Sequence, residues 1–240
     1  APAEVAWQLE QAAARLLLYA PATEATAQAA LAALAPGRDA SLRALDVREM
    51  EEVREAADAP LRADVELERA HSLLFTSGTT GRPKAVVLTY GNFWWSAVAS
   101  ALHLGIGRDD RWLVNLPLFH VGGLSILLRS VIYGTTAVVH PRFDADAANR
   151  AVDQEGVTLL SLVATTLARM LDARGRRPFP HRLRAALVGG GPTPAALLER
   201  AADLGMPVAP TYGLTEAASQ VATLPPPERR RKPGSSGRPL

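Results

Sequence analysis

The stretch from His71 to Tyr90, HSLLFTSGTTGRPKAVVLTY, constrains this chain more than any other. An apolar run from Leu73 to Phe75 gives way to a polar loop, and Ala85 to Leu88 resumes an apolar, β-branched pattern, which predicts strand, tight loop, strand. The loop holds Gly78 and Gly81, which open backbone angles closed to other residues and let main-chain N–H groups approach a ligand. Thr76, Ser77, Thr79 and Thr80 add hydroxyls, and Lys84 follows. Convergent amides, hydroxyls and one ammonium suit a polyanion, above all the phosphates of a nucleotide. The plain alternative is a surface turn rich in Ser and Thr. Against it, the only lysines among 26 Lys+Arg are Lys84 and Lys232, so a compact point charge follows the loop in a chain that otherwise uses arginine. The loop is not G-x-x-x-x-G-K-[ST], because Gly78 and Gly81 stand too close and Ala85 follows the lysine.

Composition narrows the classes. With 240 residues, 48% of them hydrophobic, the chain can bury a sizeable core and sits at the upper edge of one domain. A net charge of +2, with arginines scattered and no aromatic interleaving, argues against nucleic acid as a partner. Absence of cysteine excludes disulfides, thiol nucleophiles and zinc clusters, and fits the cytoplasm. No apolar run reaches the roughly 18 residues of a membrane helix. The first residue is Ala1 and Pro2 opens a helix, which reads as a cut inside a larger protein.

Along the chain the patterning predicts a helix from Pro2 with Val5, Leu9 and Ala13 on one face, a strand at Leu16 to Tyr19, a helix at Ala22 to Leu34 and a strand at Leu42 to Val47. The acidic segment from Arg48 to Glu68 reads as a helix and solvated linker. Tyr90 to Leu104 is helical, and its adjacent Trp94 and Trp95 point about 100° apart, one into the core and one along a groove. Strands are then expected near Trp112, Ala137, Thr158, Arg184 and Val208, alternating with helices from about Gly122, Ala145, Thr165 and Ala195. That alternation defines an α/β fold, layered α-β-α with mostly parallel sheets, in which ligands gather beyond the carboxyl ends of the strands. The basic loop RGRRPFPHR is expected on the surface.

Three further segments carry chemistry. His120, at a strand-to-helix corner, is a capping or core histidine by default, but Gly122 and Gly123 beside it allow close approach of a ligand. Arg129 lies on an otherwise apolar helix, where a charge is either paired with an acid or turned toward an anionic substrate. In GGGPTP, Gly189, Gly190 and Gly191 let a flat ligand lie on the backbone. In TYGLTE, Tyr212 offers a ring face to a base, Thr215 a hydroxyl and Glu216 a hard oxygen for magnesium, although Thr215 and Glu216 also suit an ordinary helix start.

TSGTTGRPK together with TYGLTE, in that order and separation, resembles the signature of the adenylate-forming superfamily of acyl- and aryl-CoA ligases, luciferases and peptide-synthetase adenylation domains; Ala85 departs from its usual glycine. Longer strings, YGNFWWSAVASALHLG, LPLFHVGGLSILLRSVIYG, LVGGGPTPAALLE, TYGLTEAASQVATL and GSSGRPL, resemble the branch that joins CoA to 2-succinylbenzoate in menaquinone biosynthesis. The resemblance implies that residues 1–240 are part of the family's large nucleotide-binding domain, whose start and small C-terminal partner domain lie elsewhere. It implies ATP contacts from Thr76, Ser77, Gly78, Thr79, Thr80, Gly81, Lys84, Gly190, Gly191, Tyr212, Gly213 and Thr215. Acid contacts come from His120, Ser125, Arg129 and Gly189, magnesium at Glu216, and catalytic roles for Lys84, His120, Thr215 and Glu216. ATP, magnesium and CoA are the implied small-molecule partners, and homo-oligomer formation stays open. No G-x-S-x-G elbow supplies a nucleophile. Other readings stay open: another aryl- or acyl-CoA ligase, a carrier-loading adenylation domain, or a nucleotide-binding fragment without catalysis.

Overall fold

Alternating helices and strands beyond Tyr90 close into a sheet because each helix has one apolar face to bury and each central strand has two. The computed structural model describes residues 1–35, 42–50, 63–76 and 83–240. They form two units, Ala1–Val65 with Phe75–Ala85, and Glu66–Leu74 with Val86–Leu240.

In the first unit, α1 (Pro2–Gln11) opens on a proline, whose missing N–H costs nothing in a first turn. Ala13 lies past its end at φ 46° and takes no part in the helical face predicted for it. Strand β1 (Leu16–Tyr19) pairs in parallel with β2 (Arg43–Asp46), and α2 (Glu24–Ala32) connects them. Trp7 meets Phe75 edge-on with ring centroids 5.5 Å apart. Most of the acidic segment predicted as helix and linker lies outside the described residues. Strands β3 (Ala70–Thr76) and β4 (Lys84–Thr89) pair with each other as predicted. The loop between them, with Ser77, Gly78, Thr79, Thr80 and Gly81, lies outside the described residues as well.

The second unit carries α3 (Tyr90–Leu104), β5 (Arg111–Val114), α4 (Val121–Tyr133), β6 (Thr136–Val139), α5 (Ala145–Gln154), β7 (Leu159–Leu162) and α6 (Ala164–Arg174). After these come β8 (Ala185–Val188), α7 (Ala195–Asp203), β9 (Val208–Leu214), β10 (Ser219–Thr223) and β11 (Arg238–Pro239). The sheet order is β11-β10-β9-β8-β7-β5-β6. Its β5 to β9 part is parallel, and β10 and β11 add an antiparallel edge. On one face Leu113, Leu160 and Leu162 pack with Val152 of α5 and Leu167, Met170 and Leu171 of α6. On the other, Trp112, Val114 and Leu187 pack on Ile126 of α4. The layering is the α-β-α arrangement predicted.

Local chemistry sets the helix ends. Thr89 and Asn92 form a capping box at the start of α3, their side chains accepting each other's backbone N–H at 3.1 and 2.9 Å. Asp144 caps α5 through the Ala147 amide at 2.7 Å. Gly134 ends α4 in the left-handed conformation, φ 66° and ψ 34°.

Two expectations fail here. Neither Trp94 nor Trp95 is in the core, at 43% and 63% exposure, because the buried stripe of α3 runs through Gly91, Phe93, Ala97 and Ser100. The basic loop is not simply surface. Arg174 and Phe179 in it are buried, and the Arg174 guanidinium lies 3.9 Å from the Phe179 ring centroid. That guanidinium donates to Asn149 Oδ1, to both carboxylate oxygens of Asp153 and to the carbonyls of Arg177 and Pro178, which satisfies its charge.

At the amino ends of the parallel strands, Asp110 fastens several elements together. It accepts from Arg184 Nε at 2.8 Å and Nη2 at 2.5 Å, from the Gly107 amide at 2.7 Å and from the Thr158 hydroxyl at 2.8 Å. Burial works against ionisation of Asp110, but the Arg184 guanidinium, the Gly107 amide and the Thr158 hydroxyl outweigh it and hold the carboxyl below its usual range. Its stabilisation is therefore complete above the unfolded carboxylate pKa of about 3.9 and is lost as pH falls through the lower folded value. Asp110→Asn should cost about 1–3 kcal/mol at pH 7 and flatten the loss of stability below about pH 4, as read from urea midpoints across pH.

Candidate functional site

The site is best built from the carboxyl ends of β8 and β9. Their alignment, Val188 beside Pro210, sets Gly189 beside Thr211. A Cβ on Gly189 would stand 2.7 Å from both Thr211 Cγ2 and Thr211 O, so this buried glycine is needed for strand packing. Gly190, at φ 77°, turns the chain out, and Gly191 is exposed with nothing within 4 Å of its Cβ position. Open backbone therefore begins at Gly190.

TYGLTE does not start a helix. Strand β9 runs through Leu214, a single 3₁₀ turn spans Thr215–Ala217 with Leu214 as an uncapped N-cap, and β10 returns antiparallel. The return needs Ala218 at φ 52° and Ser219 at φ 109°, conformations that non-glycine residues adopt only when their surroundings hold them. Gly213 is required opposite, since a Cβ there would lie 2.1 Å from Ser219 O. Tyr212 is 54% exposed, a free ring face on this corner. Glu216 is exposed and has no hydrogen bond or ion pair among the described residues. A free hard carboxylate fits magnesium, which takes one or two protein carboxylates and completes its shell with water and substrate phosphates.

Arg129 is the feature that most needs an explanation. It is 3% exposed on α4, its guanidinium lies 5.7 Å from the Trp112 ring centroid, and no acid pairs with it among the described residues. Its one side-chain acceptor there is Ser96 Oγ, at 3.0 Å from Nη2. Burial pushes the guanidinium down to about 10, with Tyr133 pulling the other way. One hydroxyl cannot replace the water taken from a guanidinium with five N–H donors. Of the two readings of this arginine, pairing with a structural acid finds no partner in the described residues.

Ser125, also on α4, is 2% exposed and donates to Gly122 O at 3.4 Å. His120 is exposed at the start of α4, neither in the core nor capping through its side chain, with its ring 4.5 Å from that of Phe119. Gly123 beside it serves the chain's own packing, because a Cβ would meet Pro117 O at 2.4 Å and Leu116 O at 2.6 Å. In the other unit, Thr76 Oγ1 lies 3.5 Å from the Lys84 carbonyl at the base of the β3–β4 loop, and Lys84 itself is exposed.

Sequence reasoning missed the polar residues that hold this corner. Ser96 Oγ donates to Ala218 O at 2.9 Å. Ser100 donates to Gln220 Oε1 at 2.9 Å, and Gln220 Nε2 donates to Thr223 Oγ1 at 2.8 Å. The available signal was two serines one helical turn apart in an otherwise apolar helix. A cavity of about 540 Å³ also opens beside Gly191, Pro192, Thr193, Pro210 and Thr211; Tyr212 does not line it.

Helices on both faces of a mostly parallel sheet leave the Gly190–Gly191 backbone, the exposed Tyr212 ring and the Glu216 carboxylate beyond the strand ends, where ligands gather in folds of this class. The chain belongs to the AMP-binding enzyme family, which it matches over residues 1–240. The 2-succinylbenzoate–CoA ligase of Geobacillus kaustophilus is 44% identical over 237 residues, covering 99% of this chain and 46% of that protein. The o-succinylbenzoate CoA synthetase of Bacillus subtilis solved with ATP and a magnesium ion superposes with a TM-score of 0.88 at 40% identity, over 100% of this chain and 48% of that one. The same enzyme solved with its acyl-adenylate intermediate gives 0.89 at 39% identity, over 100% and 47%. The chain spans less than half the length of these relatives.

If Arg129 is kept for a ligand, replacing it should not harm the fold. Arg129→Met should leave the unfolding free energy unchanged or raise it by about 1–2 kcal/mol in urea titration, as removal of buried charge often does. A large loss would mark the arginine as structural.

Proposed function

We propose that the intact protein is an ATP-dependent acid–CoA ligase acting on an aromatic dicarboxylic acid, 2-succinylbenzoate, and that residues 1–240 are part of its large nucleotide- and acid-binding domain. The observation that carries this reading is Arg129: a buried guanidinium with no acid partner among the described residues asks for a second, non-reacting carboxylate on the substrate. Relatives named for 2-succinylbenzoate at 44–46% identity support the same acid.

In this reading the acid lies between Arg129, Ser125, His120 and the Gly189 corner, and its reacting carboxylate faces the nucleotide. Tyr212 stacks on adenine, Gly190, Gly191 and Gly213 allow the nucleotide close to the backbone, and Thr215 donates to the α-phosphate. Thr76, Lys84 and the loop residues Ser77 to Gly81 bind the triphosphate. A carboxylate oxygen bonds to the α-phosphorus as the bond to pyrophosphate breaks. The CoA sulfur then bonds to the acyl carbon, AMP leaves, and the thiol proton passes to solvent. Magnesium held at Glu216 would neutralise phosphate charge. No protein nucleophile is required, so rate comes from placement and from charges fixed in advance. The reading includes a cytoplasmic location, which the absence of cysteine fits.

Pyrophosphate exchange on the intact protein tests the assignment. Lys84→Ala should lower acid-dependent exchange by about 10²–10³-fold, the scale of one preorganised contact, and an unchanged rate rules the lysine out. In a thioester-forming assay across aryl and fatty acids, 2-succinylbenzoate should be preferred. Arg129→Ala should raise KM for that acid by about 10-fold or more while KM for ATP moves little, and equal shifts would remove the arginine from the acid site.

A further inference from the structure

We propose that Ser96 is a positioning residue that links carboxylate binding at Arg129 to the conformation of the Thr215–Ala217 turn. The inference rests on the ligase reading above.

Its basis is a single hydroxyl shared by two elements of the site. Ser96 Oγ accepts from Arg129 Nη2 at 3.0 Å and donates to the carbonyl of Ala218 at 2.9 Å. A serine in a helix commonly turns its hydroxyl onto its own backbone. Here the donor goes instead to a residue far along the chain, and to a particular one. Ala218 is 1% exposed and is the left-handed residue that closes the turn carrying Thr215 and Glu216. The conformation of Ala218 and Ser219 depends on what holds it, and the Ser96 hydroxyl is one such hold. Ser100, on the same face of α3, secures the strand that follows through Gln220 and Thr223. Ser96 therefore acts at the turn itself, beside a strand already anchored.

The relay has a direction. Arginine N–H, serine O–H and carbonyl oxygen form a chain in which each bond polarises the next, and the charge at its head strengthens the bond at its tail. A substrate carboxylate on Arg129 changes the charge that the Ser96 oxygen feels, and so the grip of its hydroxyl on Ala218 O. The two halves of the reaction, acid and nucleotide, meet in this one oxygen.

The test measures coupling between ligands in the intact protein. Calorimetry with a non-cleavable ATP analogue, with and without saturating 2-succinylbenzoate, gives the factor by which the acid changes nucleotide affinity. The factor should be about fivefold or more in the wild type and fall to about one in Ser96→Ala, with the acid KM in exchange assays raised several-fold. Ser96→Thr, which keeps a hydroxyl, should restore both. Ser96→Cys, close in volume but a weak donor and acceptor, serves as second variant if the alanine protein does not fold, and should behave as alanine does. A wild-type factor of one, or a hydroxyl-free variant that keeps the wild-type factor, overturns the proposal. A wild type without exchange for any acid overturns the ligase reading itself, a result distinct from normal exchange with coupling unaffected by Ser96.

Discussion

A guanidinium taken out of water must find acceptors, and two among the described residues of the second unit do so in opposite ways. Arg174 meets a carboxylate, an amide oxygen and two carbonyls, with an aromatic face beneath it. Every part of that group is answered inside the fold, and it ties α5, α6 and the following loop together. Among the described residues Arg129 has one side-chain acceptor, Ser96, beside the Trp112 ring. The same residue type at the same burial is in one case a fastener and in the other is left with most of its donors unanswered by described side chains, and the proposed reading of the site starts from that contrast.

The rest of the corner is arranged so that the open groups stay open. Parallel strands bring the Gly189 and Thr211 ends side by side, and tight packing at Gly189 and Gly213 uses up the glycines that lie within the sheet. What remains facing outward is the backbone from Gly190, the Tyr212 ring and the Glu216 carboxylate. The half-buried Ser96 hydroxyl and the buried Ser100 hydroxyl on α3 hold the turn and the returning strand, so the outward residues need no internal partners of their own. Preorganisation of this kind is what chemistry without a protein nucleophile depends on.

Much of this was legible in the residues. Alternating patterns placed the helices and the parallel strands β5 to β8 within a residue or two, because long periodic segments with clear caps and glycine stops leave little choice; the far half of β9 and the antiparallel edge strands β10 and β11 were not foreseen, since they carry no such alternation. The burial of a charge at Arg129 and the exposure of Tyr212 and Glu216 at the strand ends mark these residues as exceptions to their local patterns. Side-chain destinations were not legible. The adjacent tryptophans looked like one core residue and one groove residue, but which stripe of α3 is buried depends on neighbours far away in the chain. Arg174 looked like one more surface arginine because its partners come from α5 and from loop carbonyls. Gly123 and Gly189 looked like ligand-approach glycines; the close contact each permits is with the chain's own backbone. Ser96 and Ser100 were silent, since a serine says nothing in sequence about where its hydroxyl points.

The cluster around Asp110 has a consequence for how such a scaffold can diversify. It joins the segment before β5 to those before β7 and β8 by charged and hydroxyl contacts, all at the strands' amino ends. The opposite rim, at the strands' carboxyl ends, contributes nothing to that knot. Residues on that rim can therefore be exchanged for others suited to a different ligand without loosening the strands beneath them. One architecture can in this way be inherited by many specificities, each changing only at its upper edge.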